Sequence, residues 1–228
     1  NWTPPGNALD FDGVDDHVAL PNVLATTVGG TDAITIEYWF RGTQLQSAVR
    51  IQKNSGNYIV PGWGESGPKH VISTDGMTAG GISCGPESTI EDGNWHHLGM
   101  TWQRNTTNGF KAYLDGVIVD QRNSADVALP ELSNAVPYLG CYDGSNEFLA
   151  GRLDEVRIWN DVRTEAEIRD YMHRELDGDE TGLTAYFPMN QRDTTALDDL
   201  TANGNDGAHQ NMDAGSDWVS STIPCADA

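Results

Sequence analysis

The chain has 228 residues, a length that one all-β sandwich can fill, and 38% of them are hydrophobic, which rules out disorder as a global description. No run approaches the roughly 18 apolar residues that a membrane-spanning helix needs. Lys and Arg number 13 against 34 Asp and Glu, and the net charge of −21 opposes binding to nucleic-acid phosphate, an anionic membrane or a highly sulfated polymer.

Taken in chain order, short alternating segments at 8–11, 17–20, 34–40, 58–61, 70–74, 96–102, 111–114, 117–120, 138–140, 153–159 and 182–188 read as strands. Turn signals separate them, among them Asp12-Gly13, Asp92-Gly93, Asn108-Gly109, Asp115-Gly116 and Asn203-Gly204. Within 34–40, Ile34, Ile36, Tyr38 and Phe40 share one side, and Thr35, Glu37 and Trp39 share the other with Arg41. One helix stands out. Thr164-Glu165-Ala166-Glu167 has the form of a capping box, and Ile168, Tyr171 and Met172 follow it as an apolar stripe. Many short strands with regular turns predict an all-β, two-sheet antiparallel sandwich with one short helix.

Asp outnumbers Glu 23 to 11 and there are three Lys, a balance that suits salty surroundings, calcium, or plain solubility. Cys84, Cys141 and Cys225 form no CxxC pair, which excludes a zinc ribbon or a thioredoxin-like motif. One disulfide is possible. Cys84–Cys141 is the first guess, since both sit between strand patterns, and the pairing stays open. Asn1 and Asn105 begin glycosylation sequons. The first five residues carry no signal-peptide pattern, so an exported protein would have its signal removed from this sequence.

Several motifs match as text and fail in context. Gly62-Trp63-Gly64-Glu65-Ser66-Gly67 fits GxGxxG, but a strand pattern follows it where a dinucleotide site needs a helix. Gly81-Ile82-Ser83-Cys84-Gly85 fits GxSxG, again with no helix to make a nucleophile elbow. His96 and His97 are neighbours in a strand and point to opposite faces, as do Asp154 and Glu155. Glu155, Arg157 and Trp159 share a face, where Glu155 and Arg157 are expected to neutralise each other.

The segments 7–18, 35–40 and 95–102, Ala112-Tyr113-Leu114-Asp115-Gly116, and 151–163 come in an order that resembles the laminin-G-like domain of the concanavalin A-like lectin/glucanase superfamily. The last block also resembles the strand and helix of pentraxins. The resemblance runs from about Ala8 to Met172, and 182–218 resembles a segment that accompanies such modules and adds strands to the same sandwich. It implies a jelly-roll of two antiparallel sheets, one concave, often with a structural Ca²⁺ and with glycan bound on the concave face or its rim. Fold alone does not give function, so each residue is weighed separately.

For Ca²⁺, the candidates are Asp12, at the Asp12-Gly13 turn, and Asp154, which shares parity with Val156 and Ile158 and so should point inward. Asp10, Asp15 and Asp16 read as solvated turn residues. The resemblance to pentraxins implies a calcium loop at 141–147, with Asp143, Asn146 and Glu147 in the ligand parts; the alternative is a simple connecting loop. The pentraxin Glu-Gln-Asp pattern is missing here and Cys141 replaces a polar residue. For a sugar, whose ring has an apolar face, the candidate platforms are Trp63, Trp39 and Trp159, with Tyr58 and Tyr142 behind them. Trp95 and Trp102 read as framework.

The expected function is a non-catalytic, secreted or cell-surface carbohydrate-binding module within a larger protein, with Ca²⁺ as structural cofactor and a glycan as partner. The alternatives are an adhesive spacer with protein partners, and a lyase or hydrolase on the same fold. The lyase reading would draw on His70, His97, Tyr113 and Arg41.

Overall fold

A computed structural model of the chain describes residues 6–62, 67–74, 77–78, 81–124, 129–192 and 194–224. It is a sandwich of two antiparallel sheets. The first sheet runs β11 (Val117–Arg122), β10 (Phe110–Leu114), β9 (Trp95–Gln103), β3 (Ala33–Gln44), β13 (Ala150–Trp159), β1 (Asn7–Asp12) and β17 (Trp218–Ser220). β14 (Leu183–Phe187) follows β1 along the same edge of β13. The second sheet runs β15 (Ala196–Leu197), β16 (Gly207–Gln210), β2 (His17–Ala19), β12 (Val136–Leu139), β4 (Val49–Asn54), β5 (Asn57–Val60), β6 (Lys69–Thr74) and β7 (Met77–Thr78), with β8 (Ile82–Ser83) also on β6.

The alternation in β3 does what it predicts. Ile34, Ile36, Tyr38 and Phe40 face the second sheet and are fully buried against Val18, Val49, Ile51, Ile59, Ile72 and Leu139. Each such side chain contributes roughly 1.5–3 kcal/mol by leaving water. His70, on β6, is also wholly buried, and desolvation pushes its pKa down to about 3, so it is neutral at ordinary pH.

Among the described residues, three helices decorate the sheets: α1 (Asn22–Gly29), α2 (Glu87–Ile90) and α3 (Glu165–Tyr171). Only α3 carries the capping box, with Thr164 Oγ1 accepting from the Glu167 amide at 3.2 Å and Glu167 Oε2 accepting from the Thr164 amide at 2.7 Å. Residues 182–218 contribute strands to both sheets: β14 and β17 to the first, β15 and β16 to the second.

The expected Cys84–Cys141 bridge does not form. Both thiols are free and buried. Cys84 is packed in the main core, while Cys141 begins the loop after β12, where its Sγ accepts from the Gly144 amide at 3.2 Å. Cys225 lies outside the described residues.

β13 departs from simple alternation. Asp154 pairs with Trp39 and Arg157 with Glu37, so two residues of β13, Glu155 and Val156, stand opposite Tyr38 alone. Glu155 takes φ 53°, a β-bulge that absorbs the extra residue. Asp154 therefore shares the outer face with Trp39, and not the inner face with Val156 and Ile158 as parity predicts.

Candidate functional site

The outer face of the first sheet is largely covered by α3, residues 172–176 and the segment 221–224, with an opening of about 310 Å³ left beside Arg41 and Trp95. Trp39 is 2% exposed, donates Nε1–H to the Met172 carbonyl at 2.8 Å and packs edge-on against His97. Trp159 is 1% exposed, donates to Glu37 Oε1 at 3.0 Å, and lies under the Arg163 guanidinium at 4.4 Å. Neither ring offers a face to a sugar, which corrects both expectations. Non-core parity put them on the outer face, but distant parts of the chain return to cover it. Trp63 lies outside the described residues.

Beneath that cover, Arg157 donates to Glu155 Oε2 at 2.6 Å, and its Nη1 stands 3.9 Å from Glu37 Oε1. Tyr186 Oη donates to Glu155 Oε2 at 2.7 Å, and His97 Nε2 is 3.4 Å from Glu37 Oε2. Burial pushes the Glu37 carboxyl up, but His97, Arg157 and Trp159 outweigh it and hold the pKa below the usual value. Burial wins at Glu155, whose pKa is raised despite Arg157. This is a sealed structural network. His97 and Tyr113 belong to this face and His70 to the core between the sheets, so the residues of the lyase reading do not converge on one cleft.

The outer face of the second sheet is different. Val49, Ile51 and Leu139 point to the core, so their neighbours Arg50, Gln52 and Tyr138 point outward. Register sets Tyr138 beside Arg50, Val136 beside Gln52, and Tyr58 beyond Gln52. The loop 141–147 folds back over these strands. It is closed at its base by the Gly140 amide to the Ala48 carbonyl at 3.1 Å and the Leu149 amide to the Gly140 carbonyl at 2.9 Å, and the Tyr142 amide donates to the Asn146 carbonyl at 2.8 Å.

Tyr142 is locked in place. Its ring lies over the Arg50 guanidinium, 3.6 Å from centroid to Cζ, and Tyr58 flanks the same cation at 5.3 Å. Arg50 Nε donates to Gln52 Oε1 at 2.6 Å, and Gln52 Nε2 donates to Tyr142 Oη at 3.1 Å. A cavity of about 250 Å³ opens beside this stack. Val136 and Gln52 form its floor, Tyr138, Tyr142 and Asp143 bound one end, and Lys53 and Asn134 the other. Two aromatic rings and a few amide, acid and amine groups around one small space suit a polyhydroxylated ligand with an apolar face.

Of the expected loop ligands, Asp143 lines this cavity, and its carboxylate accepts from the Ser145 hydroxyl at 2.8 Å, the Ser145 amide at 3.0 Å and Asn146 Nδ2 at 3.2 Å. Ser145 is the main cause of its lowered pKa. Asn146 is engaged in holding Asp143 and does not line the cavity. Arg50, Gln52 and Tyr138 are absent from the sequence-based candidates. The signal was the run Val49-Arg50-Ile51-Gln52, which alternates as a strand.

The two expected calcium ligands separate. Asp12 pairs with Ala150, four positions along β13 from Asp154, which is about 13 Å at the rise of a strand. Asp154 is fully buried, accepts from the Glu155 amide at 2.8 Å, and has its pKa raised well above the usual value, chiefly by desolvation. Asp12 is joined instead by Asp15 and Asp16, read from sequence as solvated. One carboxylate oxygen from each lies within 4.8 Å of the others. Asp16 is 4% exposed, and burial first, then Asp12, Asp217 and Asp15, push its pKa up to about 6. Among the described residues, no ion pair neutralises the three. A set of hard oxygen donors with surplus negative charge fits a cation such as Ca²⁺.

A family model described as the concanavalin A-like lectin/glucanases superfamily matches residues 12–169. Among solved structures, a candidate carbohydrate-binding protein from Bacteroides ovatus superposes with a TM-score of 0.66 at 15% identity, covering 96% of this chain and 62% of that one. The chain thus spans under two thirds of that protein. The carbohydrate-binding module of a Ruminococcus gnavus IT-sialidase, bound to α2,3-sialyllactose, gives 0.53 at 13% identity, covering 71% of this chain and 95% of that one. Domains LG4-5 of the mouse laminin α1 chain give 0.52 at 15% identity, with 72% and 45% covered. At these identities the likeness is one of fold.

Proposed function

The chain belongs to the concanavalin A-like lectin/glucanase superfamily, and on that premise we propose that it is a non-catalytic glycan-binding module of a larger exported protein. The observation that carries this reading is the Tyr138–Tyr142 cavity, with Tyr142 held by Arg50 and Gln52 before any ligand arrives. A ring already fixed by its neighbours loses little freedom on binding, which favours affinity. A fold neighbour bound to sialyllactose, and another described as a candidate carbohydrate-binding protein, support the same reading.

The test is a glycan array followed by calorimetry on the hits, with product analysis on any polysaccharide bound. Tyr142→Ala should lower affinity about tenfold to a hundredfold, while Tyr142→Phe, which keeps the ring, should retain most of it. Both should melt within a few degrees of the parent. An array without hits would overturn the reading in favour of the adhesive spacer, and new chain ends would overturn the non-catalytic claim.

We further propose that Asp12, Asp15 and Asp16 hold a structural Ca²⁺ that ties the β1–β2 turn together. The sign of the pH effect follows from Asp16. Its pKa in the folded state is raised to about 6 from 3.8, so the stability it contributes without a cation is full below 3.8 and is lost as pH rises through about 6. Calcium should therefore raise the melting temperature at pH 7.5, EDTA should reverse that, and the rise should shrink at pH 5. Asp12→Asn should abolish it. Equal melting temperatures with calcium and EDTA at pH 7.5 would rule the site out.

A further inference from the structure

We infer that the cavity on the second sheet receives one terminal unit of a neutral glycan, and not the interior of a chain; this rests on the glycan reading above. The first ground is size. At about 250 Å³ the cavity falls below the roughly 300–1,000 Å³ of sites that engulf a drug-sized ligand, so its walls hold one sugar ring and any further unit lies outside them.

The second ground is where the walls stand. Gln52 lies between Val136 and Tyr58 in the sheet, and Tyr142 reaches down to it with its hydroxyl while its ring covers Arg50. Tyr142 therefore stands over β4 between the cavity and the half-buried Tyr58 on β5. Along the strands, the loop closes one end. Gly144 sits so near Tyr138 that a β-carbon there would come within 3.4 Å of its hydroxyl. The ion pair of Lys53 with Glu131 stands at the other end. On the side toward β2, the outward neighbours of Tyr138 are Ala19 and then Ala208, both small, while His17 packs against Tyr138 nearer the loop with ring centroids 5.9 Å apart. A sugar in the cavity meets Tyr142 on one side and the smallest neighbouring side chains on the other, so its onward linkage leaves over the alanines.

The third ground is charge. The two cations near the cavity are already engaged: Arg50 beneath Tyr142 and bonded to Gln52, Lys53 with Glu131. Asp143 faces the cavity as a carboxylate with a lowered pKa. A uronic acid would bring a second negative charge to that wall with no uncommitted partner among these residues.

The experiment is calorimetry with malto-, cello-, xylo- and arabino-oligosaccharides of one to six units, and with trigalacturonate. For the series that binds, affinity should change less than about twofold from three units to six, with one protein per chain at every length. Trigalacturonate should bind at least tenfold more weakly than the neutral trimer. Affinity that climbs steadily to six units, several proteins per hexamer, or trigalacturonate equal to the neutral trimer would overturn this inference and leave the glycan reading standing. No binding to any series, together with an empty array, would overturn both.

Discussion

Arg157→Met should lower the stability of the domain by about 3–5 kcal/mol at neutral pH, measured by urea unfolding. The size comes from what is left behind. Arg157 is 1% exposed and serves two buried carboxylates, Glu155 at 2.6 Å and Glu37 at 3.9 Å, besides donating to the Tyr171 carbonyl at 2.9 Å. Methionine fills much of the space but supplies no charge, so Glu155 and Glu37 would repel each other in a medium that screens poorly. The same argument fixes the pH dependence. In the parent, the lowered pKa of Glu37 gives stability that is present above its ordinary value of 4.5 and lost as pH falls through the folded value. Without Arg157 both carboxyls lose their main cation and rise, so protonating them relieves the variant. Its deficit should be larger at pH 7.5 than at pH 4.5, and adding Glu155→Gln should recover part of it. A deficit below about 1 kcal/mol, or one independent of pH, would mean that water reaches the pair and that the cover over the first sheet is loose.

That cover is also where reading the chain as a sequence stops. The alternation of Ile34, Ile36, Tyr38 and Phe40 is local, so the inner face of β3 is legible from seven residues. The fate of its other face is not, because Trp39 is covered by Met172 and His173 and by a cluster containing Ile223, all more than 130 positions away. Glu155 gives no local sign of a bulge, since the φ of 53° it adopts is one that glycine or asparagine usually takes. A single inserted residue then moves Asp154 to the opposite face. At the candidate site the balance is similar. Tyr142 and Asp143 are legible because their loop resembles a ligand-bearing one. Arg50 is not, since an arginine in an alternating strand ordinarily reads as solvated, and only the folding back of loop 141–147 puts a tyrosine ring on it. Asp16 looks exposed in an acidic turn and is buried, because Asp12 and Asp16 close that turn on each other, Asp16 accepting from the Asp12 amide at 3.0 Å.

Asp199→Ala should cost a further example of the same scale, about 3–5 kcal/mol, and should do so in one unfolding transition. Asp199 sits in the turn between β15 and β16 and is 8% exposed. Its carboxylate accepts from the amides of Tyr186 and Thr201 at 3.0 Å and of Asn205 at 2.9 Å, and from Thr201 Oγ1 and Asn205 Nδ2, each at 2.9 Å. Alanine leaves three backbone donors without an acceptor in a site that water barely reaches, and it frees the two side chains that the carboxylate orders. The neighbouring Asp198 is exposed, so Asp198→Ala should change stability by less than about 0.5 kcal/mol and serves as the control. The shape of the transition carries the larger point. The family model ends at residue 169, so this turn lies in the part of the chain beyond it. Yet Tyr186, which Asp199 holds, is on β14 and pairs with Arg157 on β13, while β16 pairs with β2 next to the candidate calcium turn. Loosening the Asp199 turn must therefore loosen both sheets at once. Fluorescence of the buried tryptophans and far-ultraviolet circular dichroism should lose signal together, at a lower urea concentration than in the parent. Two separated transitions, with the earlier one carrying the whole loss, would instead make residues 182–224 an appendage that folds on a sandwich already complete without it.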